Sequence, residues 1–314
     1  MGGAVTALIT GAGGFAGHHL VKLLSQQTDW RLVEFVRRTD SAAPRQQRQR
    51  IPGDIRDGDL IRELLEDERP KYVFHLAAAI PPAPPSTVFS VNVAGTATLL
   101  NAIAEICPQA TVLSVGSDAQ YGWQDATRLP TPETAPMRPV GAYGLSKVFQ
   151  EMIARRFSKV RRLSIICVRP FNHVGPGQRE DFVISGFAKQ IAAIKHGVRP
   201  AAIETGDLDV TRDFLDVRDV VRAYVLLLEQ GHAGETYNIC SGTERSIRNL
   251  LEKMLELAEV DAELKMNPAK FRPTEQRRVV GDSSKLRRHT GWQPQYSIEQ
   301  TLHDTIHSWE YQIA

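Results

Sequence analysis

Residues 4 to 17 read AVTALITGAGGFAG. The first seven are apolar or β-branched, as in a short buried strand. They run straight into Gly11, Gly14 and Gly17, and Phe15, Ala16 and His18-His19-Leu20 open a helical pattern. A strand that enters a helix through glycines lets backbone amides approach a pyrophosphate at the positive helix end. The same glycines also suit a tight strand-to-helix turn that holds nothing, so the rest of the chain has to decide.

A second strand, Arg31 to Val36, ends in Arg37-Arg38. A dinucleotide fold often carries an acid there for the ribose 2′-hydroxyl. Two guanidinium groups suit a 2′-phosphate instead, which points to NADP(H) ahead of NAD. A solvated basic loop is the plain alternative, with Glu34 nearby. Arg45 to Arg50 reads as a basic, Gln-rich loop, and Gly53-Asp54-Ile55 as a turn that brings Asp54 to an adenine edge. Lys71 to Leu76 is a buried-type strand around a structural His75, and it ends in Ala77-Ala78-Ala79, small enough to admit a flat ligand. Ile80 to Ser86 holds four prolines and reads as a stiff loop, neither helix nor central strand. Helical periodicity returns from 87 to about 106, around Asn92 and Gly95. Residues 110 to 116 and Leu163 to Val168 supply further strands.

The strand at 110 to 116 delivers Ser117 and Asp118 to its carboxyl end, where open parallel sheets bind ligands. After a Pro-rich loop from 130 to 139, a helix carries Tyr143-Gly144-Leu145-Ser146-Lys147. Four residues apart on a helix, a phenol and an ammonium share one face. A free phenol titrates near about 10, so it transfers protons poorly at neutral pH unless a cation favours its phenolate. The spacing gives Lys147 that task. Tyr-x-x-x-Lys also arises by chance on amphipathic helices.

With 314 residues the chain can form one or two domains, and 42% apolar and 24% charged residues are ordinary for a globular protein. Its 38 basic and 36 acidic residues leave +2, which argues against wholesale attraction to nucleic acid or a membrane. Cys107, Cys167 and Cys240 are odd in number and far apart, so neither a disulfide framework nor a zinc site is expected, and the reading is a reducing cytoplasm. The start does not read as a leader. No apolar run is expected to approach the roughly 18 residues of a membrane span.

In the second half, Phe182 to Gly197 reads as a helix with Phe187, Ile191 and Ile194 on one face. Val217 to Leu228 is a helix capped by Asp216. Ser246 to Ala258 is another, and Ser283 to Thr290 stops at Gly291. Cys240, after a strand at Thr236 to Ile239, reads as a buried thiol, and His173 as a residue that orders its own loop.

Taken together, TGAGGFAG (10 to 17), HLAA (75 to 78), SDAQYG (117 to 122) and YGLSK (143 to 147) resemble the extended short-chain dehydrogenases/reductases that act on nucleotide sugars. RPFNHVGPGQ (169 to 178), RDFLDVRDV (212 to 220) and RPTEQRRVVGDSSKLRRHTGWQP (272 to 294) resemble the GDP-sugar members. GDP-4-keto-6-deoxy-mannose reductases come first and GDP-mannose 4,6-dehydratases next. The resemblance implies that Tyr143 exchanges a proton with the sugar oxygen, Ser117 steadies that oxygen and Lys147 grips the nicotinamide ribose. It places the cofactor against Gly11, Gly14, Phe15, Ala16 and Gly17, then Arg37, Arg38, Asp54 and Ile55, and finally Ala77, Ala78 and Pro170. It places the nucleotide sugar against Ser117, Asp118, Asn172, Val183, Lys189 and Arg212, with Arg272 and Glu275 near base and ribose. Arg212 can equally pair with Asp213 or Asp216, and Glu275 can be plain surface.

Two departures narrow the chemistry. A 4,6-dehydratase of this group needs a carboxylate two residues after its active Ser or Thr, and an epimerising GDP-fucose synthase needs a Cys there. This chain has Ala119. The loop after Ala77-Ala78 also looks short and lacks the usual polar residues. What survives is hydride transfer at C4 of a GDP-4-keto-6-deoxy-hexose, giving GDP-D-rhamnose or its C4 epimer. An NDP-sugar 4-epimerase with tightly bound NAD, or a GDP-mannose 4,6-dehydratase, is the alternative within enzymes, and a cofactor-sensing regulator the alternative outside them. The expected fold is α/β. A Rossmann-type doubly wound parallel sheet spans residues 1–169 and about 211–240, and a smaller substrate-binding lobe takes about 170–210 and 241–314. The protein is expected to be a homodimer with no metal.

Overall fold

The computed structural model describes residues 5–37, 39, 48–271 and 276–313. Strands Thr6–Thr10 (β1), Arg31–Val36 (β2), Arg48–Pro52 (β3), Tyr72–His75 (β4), Thr111–Val115 (β5) and Ser164–Pro170 (β6) alternate with helices. The remaining strands are Asn172–Val174 (β7), Ala202–Thr205 (β8), Thr211–Asp216 (β9), Thr236–Ile239 (β10), Glu244–Ser246 (β11) and Glu263–Met266 (β12). Seven of these form one parallel sheet in the order β10-β6-β5-β4-β1-β2-β3. The order reverses between β1 and β4, and a crevice opens at the carboxyl ends of strands on either side of such a reversal.

Successive side chains on β1 point to opposite faces, so each face needs its own layer of helices. Ala7 and Ile9 pack with Leu20 and Leu24 of helix Phe15–Gln27 (α1). Leu8 packs on the other side, with Ile61 of Gly58–Glu68 (α2) and, beyond the short helix Pro85–Phe89 (α3), with Leu99 of Gly95–Ile106 (α4) and Ala154 of Ala142–Arg161 (α5). Each such fully buried Leu or Ile contributes about 1.5–3 kcal/mol. Of the later helices, Val183–Lys195 (α6) precedes Val217–Gln230 (α7), which joins α1 on the first face through Val220, Val221 and Tyr224. Asp216 caps α7 by accepting from Arg218 N, as expected from the sequence, and Asp57 caps α2.

A second core gathers α6, Ile247–Ala258 (α8) and, after Ser284–Thr290 (α9), Ile298–Ile313 (α10), around Phe187, Ile191, Leu251 and Leu302. Small sheets β11-β9-β7 and β12-β8 flank it. Two boundaries differ from the sequence reading. β9, assigned to the Rossmann domain, lies outside its sheet and pairs with β7 and β11. α9, assigned to the smaller lobe, returns to the first core, where Leu286 and Trp292 are buried against α7 and Trp292 Nε1 donates to Asp219 O.

Local corrections follow from pairing and from proline chemistry. Arg48 to Arg50 is strand, not loop, because β2 offers a free edge and Glu34 sits opposite Arg50. Pro85 and Ser86 are the first turn of α3, a position where a missing N–H costs nothing. Against the hydropathy reading, the helical stretch Pro85–Ile106 has 22 residues and contains an 18-residue window with a mean hydropathy of 1.4, enough to cross a membrane by length and composition. In this fold it buries Val88, Asn92, Thr96, Leu99 and Ile103.

Candidate active site

The glycine turn is built by close approach. Gly11 has φ +76°, and a Cβ on it would lie 2.7 Å from Ala77 N, so β1 and β4 touch backbone to backbone at their carboxyl ends. A Cβ on Gly17 would lie 2.2 Å from Gly11 O, so the turn folds onto α1. Gly14 differs: an added Cβ would meet only Gly11 O, at 3.2 Å. Gly14 caps α1 with no side-chain hydrogen bond and no acid in the first turn, which leaves the helix amides and positive dipole directed at open space. That cradle fits a pyrophosphate. Phe15 stacks parallel to His173 at 5.9 Å, and His19 Nε2 contacts Pro176 O at 2.9 Å, so α1 is anchored to the start of the second lobe.

Along the cofactor crevice, Arg37 is exposed just past β2. Arg38 lies outside the described residues. Glu34 is withdrawn into the sheet, where it accepts from Arg50 Nε at 2.9 Å. Asp54 accepts from both the backbone N and the Nε of Arg56, at 2.9 Å each, so the carboxylate expected at an adenine edge is engaged in its own turn. Ile55 is buried among α2 and α4 residues. Ala77 N donates to Thr10 Oγ1, and His75 bridges Thr10 and Thr96 with both ring nitrogens. Burial and then the Lys147 charge push that histidine down to about 3, so it is a neutral structural residue, as read. Pro170 ends β6, buried and opposite Ile239.

Ser117, Tyr143 and Lys147 come together beyond the carboxyl end of β5. Ser117 caps a single 3-10 turn, Asp118–Gln120, and α5 docks on that turn so tightly that a Cβ on Gly144 would lie 2.4 Å from Ala119 O. The Tyr143 phenol faces the Ser117 hydroxyl closely enough for the serine to favour its phenolate. Ser117 Oγ in turn donates to Asp118 Oδ1 at 3.1 Å. Lys147 is buried, with Nζ donating to Val115 O at 2.8 Å and Gln150 Oε1 at 2.9 Å.

Lys147 and Tyr143 lie one turn apart on α5. The lysine Nζ lies 6.0 Å from the Tyr143 ring centre, and burial pulls its own pKa down to about 7. Burial likewise pushes the phenol up to about 12, against the opposing influence of Ser117. A water-poor site disfavours both charged forms at once, so the phenol here is a held proton rather than a phenolate. Asp118 is pushed up to about 6 by burial, opposed by Ser117, by the Arg212 charge and by the Ala119 amide.

Of the nucleotide-sugar residues, Arg212 and Asp118 are brought within electrostatic reach of each other. The acids that were alternative partners for Arg212 are engaged elsewhere. Asp213 accepts from the amides of Ser241, Gly242 and Gly281, and Asp216 from Arg218 and Thr301. Asn172 lies on β7 beside β9. Val183 opens α6 and is exposed. Lys189 pairs with Glu180 and sits 5.4 Å above the Trp309 ring, so it meets a diphosphate only by leaving that carboxylate. Arg272 and Glu275 lie outside the described residues.

A family model described as GDP-mannose 4,6 dehydratase matches residues 8–305. The chain belongs to this family. It is similar to GDP-6-deoxy-D-mannose reductase of Pseudomonas aeruginosa, 37% identical over 310 residues and 97% of each chain. It is also similar to GDP-6-deoxy-D-talose 4-dehydrogenase of Aggregatibacter actinomycetemcomitans, 29% identical over 89% of each. The solved structure of RMD from Pseudomonas aeruginosa complexed with NADPH superposes with a TM-score of 0.88 at 35% identity, covering 98% of this chain and 100% of that one.

This member of the GDP-mannose 4,6-dehydratase family also depends on residues to which the sequence reading assigned no role. Asn92 accepts from Ala79 N at 2.7 Å and donates to Ala79 O and to Ser146 Oγ, tying the crevice wall to the helix of Tyr143 and Lys147. It sits in a π-helical turn, Ser90–Ala94, a distortion that often marks functional sites. A signal was present: Val88, Asn92 and Thr96 share the buried stripe, and a polar amide there needs partners. Gln120, Glu151 and Arg169 form a second buried set, in which Arg169 donates twice to Glu151. Nothing in the order of the chain brings residues 120, 151 and 169 together.

Proposed function

We propose that this chain reduces the C4 ketone of a GDP-4-keto-6-deoxy-hexose to the alcohol, with NADPH as hydride donor. The observation that carries the reading is the docking of the Tyr143 helix on the Ser117 turn at the carboxyl edge of the sheet, so close that a Cβ on Gly144 would lie 2.4 Å from Ala119 O, with Ala119 in place of a dehydratase carboxylate. NADPH, when bound, supplies the hydride. Tyr143 delivers the proton to the C4 oxygen, and Ser117 holds that oxygen as its charge develops. Lys147 and Asn92 hold α5 in place against β5 and the Ala77–Ala79 segment. Arg212 on β9 and Asn172 on the neighbouring β7 offer charge and hydrogen bonds to a diphosphate.

Preference for NADPH is supported by Arg37 beyond β2 and by the capture of Glu34 by Arg50. It is supported too by the NADPH complex of the Pseudomonas aeruginosa relative. A homodimer is supported by the exposed apolar face of α5, where Leu145, Phe149, Met152 and Val160 are 39%, 42%, 56% and 59% exposed. Three buried free thiols agree with a cytoplasmic location.

The test is to incubate the protein with NADPH and GDP-4-keto-6-deoxy-mannose and identify the sugar by NMR. Stoichiometric NADPH oxidation with a new C4 alcohol is expected. Interconversion of C4 epimers with no NADPH consumed would replace the reading with a 4-epimerase.

A further inference from the structure

Ser117 does not hold its position alone. Its backbone N–H donates to Gln120 Oε1 at 2.9 Å, and Gln120 Nε2 donates to Glu151 Oε2 at 2.7 Å. Glu151 stands on α5 two turns beyond Tyr143, on the same stripe as Tyr143 and Lys147. It is fixed there by Arg169 at 2.7 Å and Arg155 at 2.9 Å. Gln120 is fully buried, Glu151 and Arg169 are 3% and 1% exposed, and each functional end of the amide has a partner. The backbone has made room for this: a Cβ on Gly116 would lie 2.2 Å from Gln120 Oε1. A buried amide that bridges a reacting turn to the reacting helix is expensive to place unless its direction matters.

Building on the ketone-reduction reading, we propose that Gln120 is a positioning residue for that reaction: as a two-ended clamp between Ser117 and Glu151, it sets the distance and direction of the Ser117 hydroxyl toward the Tyr143 phenol. The clamp uses both ends of a carboxamide. An apolar side chain of the same length fills the space and supplies neither hydrogen bond.

The test is a double-mutant cycle with Gln120→Met and Ser117→Ala, following kcat, the KM for NADPH and Tm. A residue that acts through Ser117 loses its influence when the hydroxyl is gone, whereas a merely structural residue costs the same in both backgrounds. Gln120→Met is expected to lower kcat by about 10-fold or more when Ser117 is present. In the Ser117→Ala background the same change should cost less than about twofold. The KM for NADPH should hold steady in both.

Gln120→Glu is the second arm, should the methionine variant fail to fold. The introduced carboxyl faces Glu151 on α5, with Arg155 and Arg169 on the far side of that acid, and reproduces the amide pattern only while protonated. Its activity relative to the parent should therefore fall as pH rises. Equal losses in both Ser117 backgrounds, or a Gln120→Glu ratio that ignores pH, overturn the assignment while leaving ketone reduction intact. A parent chain that leaves NADPH unoxidised overturns both.

Discussion

Lys147 Nζ donates to the backbone carbonyl of Val115 across 2.8 Å, which fastens α5 to the last residue of β5 two positions before Ser117. The lysine is thereby a geometric tie between the strand that delivers the serine and the helix that delivers the tyrosine. Burial pulls its amine down to about 7. The phenol at Tyr143 keeps its proton, with burial pushing it up to about 12.

Replacing Lys147 by Met should separate function from stability. Turnover should fall by about 100-fold or more, because α5 loses its grip on β5 beside the reacting atoms. The folded pKa lies below the ordinary value of 10.5, so the unfolded chain takes up the proton more readily. The parent therefore gains stability from this group as pH rises from about 7 to 10.5, by up to about 1.4 kcal/mol per pH unit. The variant lacks that slope. Denaturation at several pH values across this window should show the gap in favour of Lys147→Met narrowing as pH rises, and parallel curves would count against the burial cost.

Tyr143→Phe removes the proton and keeps the ring. Turnover should drop by about 100-fold or more while NADPH affinity, followed by fluorescence, stays within a small factor. Ser117→Ala should cost less in turnover than Tyr143→Phe. It should also move the alkaline limb of the rate profile upward, since the serine favours the phenolate. An unchanged rate for Tyr143→Phe would remove the phenol from the chemistry.

What could be read in advance follows from where the information sits. The large sheet was legible because β1, β2, β4, β5 and β6 are short stretches dominated by apolar and β-branched residues, each followed by a turn or helix with its own local signals. Tyr143 and Lys147 were legible because one helical turn relates them. β9 was misplaced because a half-buried strand carries no label for the sheet it joins. The tie from Lys147 to β5 was silent because adjacency on a helix says nothing of what the sheet beneath offers to its Nζ. Gln120 and Glu151 were silent for the same reason, each being ordinary until the fold puts them 2.7 Å apart.

Cofactor choice should turn on Arg37. With Glu34 bound to Arg50, no repulsion from that acid offsets a 2′-phosphate near the end of β2. Arg37→Ala should raise the KM for NADPH by about 10-fold while changing the value for NADH little, because a charge-assisted hydrogen bond is lost for one cofactor alone. Equal changes for both cofactors would assign Arg37 to the solvated surface.

Asp118 makes the site sensitive to mild acid. Burial raises its carboxyl from 3.8 to about 6, and its negative charge in turn makes the Tyr143 phenol harder to ionise. As pH rises through about 6 the carboxylate forms, the phenol becomes a weaker acid, and ketone reduction should slow. Asp118→Asn should abolish that limb of the kcat profile while leaving the fold intact. Stability moves the opposite way to the usual carboxylate. The unfolded acid ionises near 3.8 and the folded one near 6, so the cost grows between those values and persists above them. The Asn variant should therefore match the parent at pH values near 4 and exceed it in Tm at pH 7 or 8. A Tm difference that is the same at both ends would mean that solvent or Arg212 neutralises the carboxylate well enough for burial to cost nothing, and the phenol would then owe nothing to Asp118.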